Sequence, residues 1–130
     1  MEPNAATLLV VDDNIDNADL LRDFLTSRGY HVVVSNSGDE ALAQFEQIRP
    51  ALVLLDVMMP GRSGWDVCRL MKASEHGKSV RIIMVTALKD WDDKQSALQQ
   101  GADDYLTKPI DFKDLNARVE RNLALIGAGR

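Results

Sequence analysis

Short aliphatic runs alternate along the chain with longer stretches of helical period. The runs are Leu8-Leu9-Val10-Val11, Val32-Val33-Val34, Leu52-Val53-Leu54-Leu55 and Ile82-Ile83-Met84-Val85, with a weaker fifth at Tyr105-Leu106. The first, third and fourth are continuous rather than alternating, as in parallel strands covered on both faces. Between the runs, apolar residues recur at helical spacing: Ala18, Leu21 and Leu25; Ala41, Phe45 and Ile48; Val67, Leu70 and Met71. Phe112, Leu115, Val119, Leu123 and Ile126 form the clearest such stripe. Punctuation agrees. Asp13 or Asn14 can cap the first helix and Gly29 end it, while Ser37 precedes the second and Pro50 stops it. Residues 90–100 carry caps and charges but few apolar side chains (Trp91, Ala97, Leu98), which predicts a helix with a thin buried stripe, prone to move. Five strands alternating with five helices predict an α/β fold of the (βα)5 type. Right-handed crossovers then place helices on both faces of a doubly wound parallel five-stranded sheet.

Composition narrows the classes. The 130 residues make one domain, and 45% hydrophobic with 27% charged residues excludes disorder as the dominant state. The expected unit is a single domain with core 7–124 and tails 1–6 and 125–130. Cys68 is the one cysteine, which excludes an internal disulfide and fits a reducing compartment. No apolar run approaches the roughly 18 residues of a membrane span, and Glu2 stands where a signal peptide wants a cation. A cytoplasmic domain without membrane contact is expected. A net charge of −5 argues against gripping nucleic acid, which requires Lys and Arg to neutralise phosphates.

In open parallel sheets, ligands bind beyond the carboxyl ends of the strands, where strand order reverses. Those ends carry Asp12 and Asp13; Asp56, followed by Val57-Met58-Met59-Pro60-Gly61; Thr86-Ala87; and Lys108-Pro109. Each is ordinary alone: an acidic pair caps a helix, an Asp ends a strand in a turn, Lys-Pro marks a loop. Their joint placement on one rim is not ordinary. Two carboxylates ~5 Å apart repel by about 3 kcal/mol at an effective dielectric of 20, so such a cluster protonates or recruits a cation. Hard oxygen donors without clustered His or Cys point to Mg²⁺. A carboxylate beside that ion can attack phosphorus, with Lys and Thr supplying charge and a hydrogen bond to the phosphoryl oxygens.

These pieces resemble the receiver domain of two-component response regulators. They are Val10-Val11-Asp12-Asp13-Asn14, Leu54-Leu55-Asp56-Val57-Met58-Met59-Pro60-Gly61, Val85-Thr86-Ala87 and Gly101-Ala102-Asp103-Asp104-Tyr105-Leu106-Thr107-Lys108-Pro109, and the likeness covers residues 7–124. The resemblance implies a flavodoxin-like strand order 2-1-3-4-5. It implies that Asp56 takes a phosphoryl group from a histidine kinase or histidine phosphotransfer protein, in a Mg²⁺-dependent reaction, and that the domain then signals to an output domain or partner. Asp13 and Asp56 would ligate Mg²⁺ directly with the carbonyl of Met58, and Asp12 through water. Lys108 would pair with the phosphoryl group ahead of a cis bond to Pro109, Thr86 would turn inward, and Tyr105 would follow as second switch residue. Asn14-Ile15-Asp16-Asn17 resembles the subtype found in hybrid kinases and in receivers fused to signalling enzymes.

The same resemblance carries three further expectations. Lys94, Asp104, Asp114 and Arg118 are similar to the homodimer face formed by the fourth helix, fifth strand and fifth helix in receivers of winged-helix transcription factors, with Leu125 departing from that pattern. As exposed pairs these charges would contribute little, and a solvated face is the plain alternative. Met58 and Leu88, two residues beyond Asp56 and Thr86, are apolar and cannot orient a hydrolytic water, so self-catalysed loss of the phosphoryl group should be slow. The domain would thus catalyse its own phosphorylation and slow dephosphorylation without being a conventional turnover enzyme. Among alternatives, a flavodoxin needs a glycine- and hydroxyl-rich loop where Asp12 and Asp13 stand. A dehalogenase-type phosphatase needs Asp at position 58. A degenerate receiver acting only as a binding module would lack one of the five polar positions. His31 and His76 read as structural, Cys68 as a packed helix residue, Trp65 as packing near the loop before it, and Trp91 as core or partner surface.

Overall fold

A computed structural model of the chain describes residues 6–57, 59, 61, 63–86 and 101–128. The chain runs β1 (Thr7–Val11), α1 (Ile15–Ser27), β2 (His31–Ser35), α2 (Gly38–Ile48), β3 (Leu52–Asp56), α3 (Gly64–Ala73), a 3₁₀ turn (His76–Lys78), β4 (Arg81–Thr86), β5 (Asp104–Thr107) and α4 (Phe112–Ala128). All strand pairs are parallel, in the order β2-β1-β3-β4-β5. The order reverses between β1 and β3. The predicted helix at 90–100 and the residues Met58, Leu88, Trp91 and Lys94 lie outside the described residues. α4 runs on to Ala128, through residues read from sequence as the start of the tail.

The continuous apolar runs conceal a two-residue alternation. Leu9, Val11, Val53, Leu55, Ile82 and Met84 face a core layer closed by Ala41 and Phe45 of α2 and Val67, Cys68 and Met71 of α3. Leu8, Val10, Leu52, Leu54, Ile83 and Val85 face the other, closed by Ala18, Leu21 and Leu25 of α1 and Leu115 and Val119 of α4. Each large side chain fully buried in these layers contributes roughly 1.5–3 kcal/mol.

Helix starts follow the caps. Asn14, not Asp13, caps α1, its side chain accepting from the N–H of Asn17 at 3.0 Å. Ser37 accepts from Glu40 N–H at 3.1 Å and Ser63 from Asp66 N–H at 3.3 Å. α2 ends at Arg49, in the left-handed region at φ 47, one residue ahead of Pro50. His76 is structural: its Nε2 lies 2.7 Å from the Pro50 carbonyl and its ring packs on Phe45. No helix among the described residues is long and apolar enough to cross a membrane.

Candidate functional site

The strand ends deliver the polar residues to one rim. β1 hands the chain to Asp12 and Asp13, β3 ends in Asp56, β4 in Thr86, and Lys108 follows β5. Asp12, Asp56 and Thr86 are each 3% exposed, whereas Asp13 is open to solvent. One carboxylate oxygen from each of Asp12, Asp13 and Asp56 lies within 4.8 Å of the others. Lys108 Nζ reaches Asp56 Oδ2 at 3.2 Å, and Lys108 N–H donates to the Thr86 carbonyl at 2.8 Å, tying the β5 end to the β4 end. The Lys108–Pro109 bond is cis. Thus the structure brings Asp12, Asp13, Asp56 and Lys108 together, with Thr86 at the neighbouring strand end.

The carboxylates of the cluster repel one another. Burial pushes the Asp12 carboxyl above its usual range, and the charges of Asp56 and Asp13 push it further. The Asn14 backbone N–H and the Lys108 charge pull the other way without prevailing. The Lys108 ammonium by itself does not balance three crowded carboxylates. The donor set is entirely hard oxygen, which suits a small divalent cation.

Position 64 has to be glycine for Asp56 to sit where it does. A Cβ on Gly64 would lie 2.2 Å from the Asp56 carbonyl oxygen and 2.8 Å from Val57 Cα. The start of α3 is therefore pressed against the end of β3, with Gly64 N–H donating to Val57 O at 3.0 Å. From sequence alone, Gly64 reads as part of the loop before Trp65. Beside the rim, a groove of ≈ 380 Å³ runs between α1 and the start of α4, lined by Asp12, Asn17, Leu20, Lys108, Pro109 and Phe112, among others.

At the start of β5, Asp104 is only 6% exposed, so the plain alternative of a solvated charged face does not hold at that position. Arg118 Nη1 and Arg121 Nη2 both reach it, the latter at 2.6 Å, and Asn122 Nδ2 donates at 3.1 Å. The Asn122 amide oxygen in turn accepts from Arg81 Nε at 3.1 Å. Arg118 also pairs with Asp114 at 3.1 Å and lies over the half-buried Tyr105 ring, 5.5 Å from its centre. Burial alone would raise the Asp104 carboxyl. The Tyr105 N–H, Arg121, Asn122 and Arg118 outweigh it and hold the group below its usual range. Cys68 is packed and inert: burial pushes its thiol up to about 11, Lys72 opposing and Asp103 adding.

Residues 8–120 match the response regulator receiver domain family. Among curated proteins, the DNA-binding response regulator MtrA of Mycobacterium tuberculosis is 42% identical over 123 residues, which are 95% of this chain and 53% of that protein. The chain spans about half the length of the curated relatives it matches. A CheY-like receiver domain protein from Methanospirillum hungatei superposes with a TM-score of 0.90 at 26% identity, covering 98% of this chain and 100% of that one. The chemotaxis response regulator CheY4 of Vibrio cholerae gives 0.87 at 28% identity, covering 92% and 99%.

Proposed function

The chain belongs to the response-regulator receiver-domain family, whose standard function is to be phosphorylated by a histidine kinase, and on that premise we propose that Asp56 is the residue phosphorylated. The observation that carries this is the ion pair of Lys108 with Asp56 inside the acidic cluster. A carboxylate oxygen attacks phosphorus without first losing a proton to a base, so the reaction at Asp56 needs no general base. One of its oxygens attacks the phosphorus of a phosphohistidine. The P–N bond breaks, the imidazole leaves with a proton from solvent, and an acyl phosphate remains on Asp56. Lys108 holds a positive charge against the transferring group, and the Thr86 hydroxyl is a donor for its oxygens.

Asp13 and Asp56 would hold Mg²⁺ directly and Asp12 through water, with the Met58 carbonyl as the expected further ligand. The cation would supply charge neutralisation for the phosphoryl oxygens. Phosphorylation biases an existing equilibrium through its contacts with Thr86 and Lys108, and the change is read at the surface of β5 and α4. Homodimerisation through that face and an output beyond this domain belong to the same proposal, as does a cytoplasmic site of action. In acetyl phosphate with Mg²⁺, one phosphoryl group should add by intact mass. Asp56→Asn, or removal of the metal, should abolish it; equal labelling of the variant would overturn the assignment.

A further inference from the structure

We infer that Asn36, in the β2–α2 connection, is a positioning residue for divalent-cation binding, acting through the backbone of Asp12 to aim Asp13. The inference rests on the reading of Asp12, Asp13 and Asp56 as a cation site. Those three carboxylates are not held alike. Asp12 and Asp56 are 3% exposed and are fixed by what packs around them. Asp13 is exposed, so its direction is set by the backbone that carries it. The peptide between Asp12 and Asp13 is planar, so fixing its carbonyl fixes the plane from which Asp13 departs.

That carbonyl is held from outside its own strand. The Asn36 side-chain amide crosses over from the end of β2 and donates to the Asp12 carbonyl oxygen at 3.0 Å. Asp12 N–H donates to the Ser35 carbonyl at 3.1 Å, so the main chain of Asp12 is gripped on both sides by consecutive residues of the β2 end. The Asp12 side chain is fixed as well, accepting from Asn14 N–H at 2.9 Å. Asn36 is anchored in turn: its N–H donates to Glu40 Oε1 at 2.7 Å, and Glu40 N–H is held by the capping Ser37 hydroxyl. The chain of contacts thus runs from the first turn of α2 through Asn36 to the peptide that presents Asp13. Outer partners of this kind fix the geometry of metal ligands without touching the metal.

The test titrates Mg²⁺ alone into the unphosphorylated full chain by calorimetry and, separately, measures phosphorylation by acetyl phosphate as a function of Mg²⁺. Asn36→Ala should raise the Mg²⁺ dissociation constant by about tenfold, the low end for loss of an outer partner. The Mg²⁺ concentration for half-maximal phosphorylation should rise in parallel, while the rate at saturating Mg²⁺ stays within about twofold, a split that general loosening of the fold would not produce. Asn36→Gln, which keeps the amide donor, should recover most of the affinity. Asp13→Asn serves as the reference. If Asp13→Asn loses Mg²⁺ and Asn36→Ala binds as the wild type does, the role of Asn36 is overturned and the cation site stands. If Asp13→Asn binds Mg²⁺ unchanged, the cation site itself fails.

Discussion

Asp12 and Asp104 are both carboxylates sealed from solvent at strand ends of one sheet, and the fold treats them in opposite ways. Asp104 is 6% exposed yet meets two guanidinium groups, an amide and a backbone N–H, and its carboxyl is held below the usual range. Asp12 is 3% exposed and meets two further carboxylates, and its carboxyl is pushed up. Burial is therefore not what separates these two acids. The separating quantity is whether the protein itself completes the charge. Among the described residues, Asp104 is surrounded by groups that favour its charge, whereas at Asp12 the Asn14 N–H and Lys108 do not outweigh burial and the neighbouring acids.

Substitution should bring the two apart most sharply. In metal-free urea denaturation, Asp104→Ala should cost about 2–3 kcal/mol, because it takes one hydrogen-bond partner from the buried Asn122 and removes the acid shared by Arg118 and Arg121. Asp12→Asn should instead be neutral or stabilising by up to about 1 kcal/mol, since it relieves repulsion from Asp13 and Asp56. Equal losses at the two sites would collapse the comparison.

Next in size is the pH dependence of the Asp104 contribution. The folded-state carboxyl lies below the unfolded value of about 4, so its stabilisation is fully present above pH ~4 and is lost as pH falls through the lower folded value. The stability gap between wild type and Asp104→Asn should close on acidification over that range. A gap that widened there would reverse the sign. The smallest effect is expected at Arg121, whose side chain is 62% exposed. Arg121→Ala should cost less than about 1 kcal/mol, because solvent screens and replaces an exposed guanidinium. A loss as large as that of Asp104→Ala would place the main support of Asp104 on Arg121 rather than on the buried Asn122.

The strands, the caps and the rim were legible because each is a local pattern: an apolar run, a Ser or Asn before a stripe, an acid or Lys at a run's end. The burial of Asp104 and its contacts with Arg121 and Asn122 were not legible, because those partners lie 17 and 18 residues further on, in α4. One signal was available. Counting along α4, Leu115, Val119, Asn122 and Ile126 share one stripe, and a polar residue on an apolar stripe marks a buried partner. Asn122 is 1% exposed. Asn36 had no such signal, since its contact spans 24 residues from an exposed connection. Gly64 was hidden for another reason: a glycine at a helix start looks like a loop residue, and only the approach of α3 to Asp56 shows why no side chain fits.

The alternation within the central strands has a consequence for how the sequence can drift. Leu8 and Leu9 are covalent neighbours, but they inhabit separate rooms of the protein, as do Leu54 and Leu55. A larger side chain at Leu9 is answered by a smaller one at Val53, Ile82 or Met84, never by its neighbour at position 8. The two layers are thus two vocabularies written through the same words. Adjacent letters can be edited without regard to each other, while letters 44 and 73 positions apart must be edited together.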